Sequence, residues 1–209
     1  MKILLLATKE QKEELMGPGE NLPAEIVWSP GFKIPEDITG ADAVIDLLFD
    51  DTVERITKLH QLQVEIIIIN SVVMPLHASG PGFIRMNGWN TFLKRKVIEA
   101  AGDDSLKKKA EEIFSFFSKK VEWVADITGF ISVRVVASII NEAYFALEQE
   151  VSSKEEIDIA MKLGTNYPYG PFEWSEKIGL KNIYSLLMHL AAEQKRYEPA
   201  FLLTKEATV

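Results

Sequence analysis

Apolar residues in the first part of the chain come in short unbroken runs separated by polar stretches. Residues 3–6 (Ile-Leu-Leu-Leu) form such a run, the pattern of a strand buried on both faces. Further strands are expected over 25–28, 43–49, 64–70, 83–86, 96–100 and 121–124. The run at 64–70 is β-branched almost throughout. Between these runs lie helix-prone segments at 10–16, 51–61 and 104–118. In the last of them Leu106, Ala110, Ile113, Phe114 and Phe117 share one face. Residues 29–40 carry Pro30, Gly31, Pro35 and Gly40 and read as a loop. Strands alternating with helices imply an open parallel sheet with right-handed crossovers.

After Asp126 the period changes. Helical patterns cover 130–150, 153–163, 171–177 and 180–197, with a loop expected over 164–170. Ser153 and Glu156 have the spacing of a capping box. The expected architecture is α/β then all-α. A small Rossmann-like parallel sheet domain occupies 1–125, and a helical dimerisation domain occupies 126–209. The segment 130–147 is apolar around most of its circumference. A helix of that kind is buried, so burial against a second subunit is expected, with burial inside the monomer as the alternative.

Composition narrows the chemistry. The chain has 209 residues, no cysteine and a net charge of −8. An acidic balance disfavours nucleic acid as a partner. The lack of cysteine removes disulfides and thiolate chemistry and fits a cytoplasmic setting. No metal-ligand cluster is apparent. The apolar start is too short for a secretory core and reads as a first strand. No apolar run reaches the length of a membrane span.

A series of local matches goes further. Asp126-Ile-Thr-Gly-Phe-Ile-Ser-Val-Arg134, Asn141-Glu-Ala143, Ile157-Asp158 and Gly170-Pro-Phe172 stand at nearly the spacing found in the helical domain of the 3-hydroxyacyl-CoA dehydrogenases, which this region resembles. The resemblance runs more faintly through residues 41–125. Asp42-Ala-Val-Ile-Asp46, Asn70-Ser71, Met86-Asn-Gly-Trp-Asn90 and Val97-Ile-Glu99 resemble family segments in the same order.

The resemblance implies an NAD-linked oxidoreductase of fatty-acid metabolism, dimeric through its helical domain. It also implies site positions. Asn87 falls where the family has its catalytic His, with Glu99 as the family's Glu partner. Asn70, Ser71 and Asn90 fall at substrate-binding positions. His takes the hydroxyl proton in the family reaction, whereas an amide cannot accept it. His77 is a weaker candidate replacement base, and His60 and His189 carry no expected role.

The cofactor signature is also missing. A dinucleotide site needs Gly-x-Gly-x-x-Gly between the first strand and its helix, and an acid after the second strand. Here residues 6–14 contain no glycine and include Glu10, Glu13 and Glu14, and Trp28 is followed by Ser-Pro-Gly. Gly17 and Gly19 come too late and read as a helix stop. Val72 and Val133 replace a family Ser and Asn, and the region that helps hold CoA in the family is short. The four tryptophans, at 28, 89, 123 and 174, are candidates to fill vacated space.

The resulting expectation is a family relative of pseudoenzyme character. It uses no cofactor and has a role in binding an acyl- or CoA-like ligand or a protein partner. Two alternatives stay open: an active NAD-dependent 3-hydroxyacyl-CoA dehydrogenase, and a structural or regulatory dimerisation module.

Overall fold

The computed structural model describes residues 1–17, 24–35, 38, 40–76 and 82–209. His77, Pro18 and Gly19 lie outside the described residues. The chain divides into two compact units, Met1–Phe130 and Ile131–Val209.

The first unit is built on a sheet of seven strands: β1 (Lys2–Leu6), β2 (Glu25–Ser29), β3 (Ala43–Asp46), β4 (Ile66–Asn70), β5 (Phe83–Met86), β6 (Val97–Gly102) and β7 (Lys120–Trp123). Their spatial order is β2-β1-β3-β4-β5-β6-β7. All neighbouring pairs are parallel except β5 with β6. The parallel sheet expected from the alternation thus carries one reversal. Residues 87–96, between β5 and β6, hold turns instead of the crossover helix that a parallel pair requires. Helices α1 (Lys9–Met16), α2 (Val53–Gln61) and α3 (Asp104–Phe116) cover the sheet.

The continuous apolar runs are explained by burial on both faces. Ile3, Leu5, Ala43, Ile45, Ile66 and Ile68 join one core with Leu15 of α1 and Ile113 and Phe114 of α3. The alternate residues Leu4, Leu6, Val44, Ile67 and Ile69 join a second core with Leu59 of α2. Each fully buried Leu or Ile side chain contributes roughly 1.5–3 kcal/mol relative to exposure.

The second unit contains α4 (Ile131–Glu148), α5 (Lys154–Thr165), α6 (Pro171–Ile178), α7 (Leu180–Glu193), a 3-10 turn (Lys195–Tyr197) and α8 (Phe201–Ala207). Three features differ from the periodic reading. The helix expected to reach residue 197 stops at Glu193, α8 follows as a separate short helix, and α5 runs through Gly164 to Thr165. Asn166, at φ 56°, takes the left-handed position after α5. The Ser153–Glu156 capping box forms as its spacing predicts.

Buried polar groups join the helices of this unit. Asn141 of α4 donates to Glu198 O at 2.9 Å and accepts from Ala200 N at 2.8 Å. Tyr144 donates to Glu206 of α8 at 2.7 Å. Asp158 of α5 accepts from Phe172 N at 2.8 Å and Glu173 N at 3.0 Å, capping α6 from another helix.

Candidate functional site

In a doubly wound sheet, ligands bind at the carboxyl ends of the strands. The antiparallel register of β5 and β6 places Met86 opposite Ala100. One step further, Asn87 N donates to Glu99 O at 3.0 Å. The sheet itself therefore brings the Asn87 and Glu99 side chains together, with Asn87 Nδ2 at 3.5 Å from Glu99 Oε2. Asn87 is buried, at 2% exposure. Its own Oδ1 lies 3.5 Å from Trp89 N. Glu99 also faces Arg95. Burial pushes the Arg95 guanidinium down from its ordinary value, and the Glu99 charge opposes that shift. The carboxylate stands beside an amide and a permanent cation.

Asn70 ends β4. Its Nδ2 donates to Leu47 O at 3.2 Å and its Oδ1 accepts from Gly88 N at 3.0 Å. Gly88 is required for this contact, because a Cβ there would lie 2.8 Å from Asn70 Cγ. Ser71 donates to Met74 O at 2.7 Å, within its own turn. Asn90 is half-buried in the turns after β5. Thr91 beside it has φ 75°. Its backbone N–H donates to both carboxylate oxygens of Glu14, at 2.9 and 2.7 Å. Glu14 thus holds this loop to α1, a use that nothing in the local sequence announces.

The segment between β1 and α1, where a dinucleotide phosphate would approach, is closed by the chain's own groups. Thr8 caps α1 and accepts from Gln11 N at 3.1 Å, and Gln11 Oε1 accepts from Thr8 N at 3.0 Å. Two backbone donors at the start of α1, Thr8 N and Gln11 N, are engaged internally. Gln11 Nε2 donates to Leu47 O at 3.1 Å, the same carbonyl that Asn70 uses. Helix α1 and the ends of β3 and β4 are therefore linked through one acceptor.

Trp28, near the end of β2, occupies the region where an acid would meet a ribose. Its indole N–H donates to Ala7 O at 2.9 Å. The Lys12 ammonium lies 4.1 Å from its ring centroid. The residues present do not fit a dinucleotide at this crevice. The glycines and the acid of such a site are absent from the sequence here. Trp28 is one of the four tryptophans named as candidates to fill vacated space, and its bond to Ala7 exists only once β1 and β2 are paired.

Three buried charged side chains lie among the described residues of the same unit: Asp46, Arg55 and Arg85. Asp46, at the end of β3, receives Arg55 of α2 in a two-pronged pair at 2.8 and 2.7 Å. Burial pushes its carboxyl up from the ordinary range, against the pull of Arg55. Arg55 also donates to Phe32 O, fastening the 29–35 segment over α2. Arg85 in β5 is the second buried cation. Among the described residues, no cluster of three or more His, Cys, Asp or Glu could hold a metal ion. Among them, too, no helix is long and apolar enough to cross a membrane.

Comparison with known proteins finds likenesses over part of the chain. Residues 129–207 match the 3-hydroxyacyl-CoA dehydrogenase C-terminal domain. A 3-hydroxyadipyl-CoA dehydrogenase of Escherichia coli (strain K12) is 42% identical over 110 residues, covering 52% of this chain and 23% of that protein. A 3-hydroxybutyryl-CoA dehydrogenase of Bradyrhizobium diazoefficiens is 36% identical over 107 residues, covering 50% of this chain and 36% of that protein. The chain thus spans well under half the length of these two curated relatives. An (S)-3-hydroxybutyryl-CoA dehydrogenase structure from Ralstonia eutropha superposes with a TM-score of 0.71 over 88% of this chain and 70% of that chain, at 24% identity. That likeness shows the shared fold, a Rossmann-like sheet unit followed by helices. Residues 129–207 are thus similar to the C-terminal domain of the 3-hydroxyacyl-CoA dehydrogenases, and the curated relatives that match this chain carry that family's name.

Proposed function

We propose that this chain is a member of the family that does not carry out NAD-linked hydride transfer and acts by binding, either to an acyl- or CoA-like ligand or to a protein. The observation that carries this reading is the closed crevice. Thr8, Gln11 and Trp28 engage the groups a dinucleotide would use. The position of the family base supports it, since Asn87 is a buried amide beside Glu99. Loss of a general base lowers a rate by roughly 100- to 10,000-fold. Asn70, Ser71 and Asn90 are the polar groups this reading assigns to a ligand's carbonyl or hydroxyl.

The test is a calorimetric titration of NADH into the intact protein to millimolar concentration, with acetoacetyl-CoA turnover measured alongside. The expected result is no saturable heat and no turnover at an ordinary dehydrogenase rate. One-to-one saturation together with turnover would overturn the reading in favour of an active dehydrogenase.

The partner assigned by this reading is a second copy. The outer face of α4 exposes Ile131 and Val135, at 63% and 53%. With Arg134, Ser138, Ile139, Glu142, Arg196 and Tyr197, Val135 lines a groove of about 570 Å³. Arg134 and Glu142 flank Ser138 at equal sequence distance on this helix. Two copies of α4 crossing antiparallel at the small Ser138 would set Arg134 of each against Glu142 of the other. Such self-complementarity suits a twofold, isologous contact.

A further inference from the structure

Arg85 is fully buried, at 0% exposure, within β5. Its partners come from two segments distant in sequence. From the turn after β4, Met74 O accepts from Nη1 at 2.9 Å. From the segment after β7, Ile127 O accepts from Nη2 at 2.5 Å and Gly129 O lies 3.5 Å from the same nitrogen. The Asp126 carboxylate pairs with Nε at 3.0 Å. The Phe130 ring stacks on the guanidinium, with its centroid 4.5 Å from Cζ.

The two segments also bind each other. Asp126 accepts from Leu76 N at 3.3 and 3.0 Å through its two oxygens. Gly129 N donates to Val72 O at 2.9 Å.

We propose that Arg85 is a latch that makes residues 71–76 and 126–130 one cooperative opening unit. The reason is the cost of a buried charge. If residues 126–130 lift away, Arg85 loses the Asp126 carboxylate, two carbonyls and the aromatic face together. A buried cation stripped of a counter-charge inside the sheet is strongly disfavoured. Partial opening is therefore disfavoured. The segment that follows Asn70 and Ser71 moves together with the segment that precedes α4, or neither moves. This inference does not depend on the absence of NAD binding.

Native-state amide hydrogen exchange on the intact protein tests it. In the unaltered chain the Leu76 and Gly129 amides are expected to exchange with matched opening equilibria and matched urea dependence. Asp126→Asn keeps the side-chain shape and an acceptor for Leu76 but removes the carboxylate charge. It is expected to speed both amides by about tenfold or more, because the cation loses its counter-charge. Amides of β1 and β3, such as those of Leu5 and Ile45, are expected to keep their rates. Arg85→Met removes the cation and is expected to uncouple the two amides, so that their rates diverge. Unmatched opening of Leu76 and Gly129 in the unaltered chain would overturn the latch, and needs no variant to fold. So would an Asp126→Asn effect spread equally over the β1 and β3 amides.

Discussion

Asp158 and Gly170 show how much one pair of residues can decide. Gly170 begins α6 and has no side chain with which to cap it. The cap comes from Asp158, buried on α5, whose two oxygens each take one backbone N–H of the first turn. Gly170 must be glycine for this approach, since a Cβ there would stand 2.3 Å from Asp158 Cγ. The Ile-Asp and Gly-Pro-Phe motifs are thus two halves of one contact. Asp158→Ala leaves two helix N–H groups without their acceptor and is expected to destabilise the helical unit by roughly 1–3 kcal/mol. Urea unfolding followed by circular dichroism measures this, and an unchanged midpoint would refute the capping role. Glu99 teaches a different lesson at the same scale. Its spacing of twelve from Asn87 was visible in the sequence, and the pairing of β5 with β6 turns that spacing into contact. Arg85 looked like an ordinary strand residue, because its partners arrive from elsewhere in the chain.

Among the elements, the helical unit joins its helices through carboxylates with depressed pKa values. Lys162 of α5 holds the Glu173 carboxyl of α6 below its ordinary value, aided by Gly170 N. Burial alone would raise Glu206 of α8, but Lys154 and Tyr144 together hold it down. A carboxyl depressed by folding stabilises the fold while ionised. That stabilisation is complete above the ordinary glutamate value of 4.5 and is lost as pH falls below it through the folded values. The melting temperature is therefore expected to drop on acidification below about pH 4.5, and to drop less steeply in a Glu173→Gln, Glu206→Gln double variant. Identical acid limbs for the two proteins would show that these links do not govern the transition. Both glutamates are substantially solvated, so the contribution of each is small. Helix existence was legible from periodicity across this unit. The ending of α7 and the separate α8 were not, because Asn141 anchors the chain near Glu198 and Ala200 through tertiary hydrogen bonds.

For the whole molecule, the question is whether the outer face of α4 meets a second copy. Ile131 and Val135 leave an apolar stripe on a helix whose opposite face, with Val133, Val136, Ala137 and Ile140, is packed. The sequence suggested a helix apolar around most of its surface, and the fold divides that surface into a covered side and an open one. A Val135→Glu substitution puts a charge at the proposed crossing without entering the core. It is expected to shift the protein from dimer to monomer by light scattering while its circular dichroism is kept. A monomer before substitution, or a dimer after it, would argue against this face.

The sequence by itself determined the two-unit order, the strands buried on both faces, the capping box at Ser153 and the family motifs of the helical region. These depend on periodicity and on neighbours a few residues apart. It also showed that the glycines and the acid of a dinucleotide site are absent. Only the tertiary structure decided what stands in their place. Trp28 reaches Ala7 across paired strands, Gln11 and Asn70 share the carbonyl of Leu47, and Arg85 gathers two segments around one charge. Each is a contact between residues far apart in the chain. Its energy depends on distance and burial, which no local pattern of residue types records.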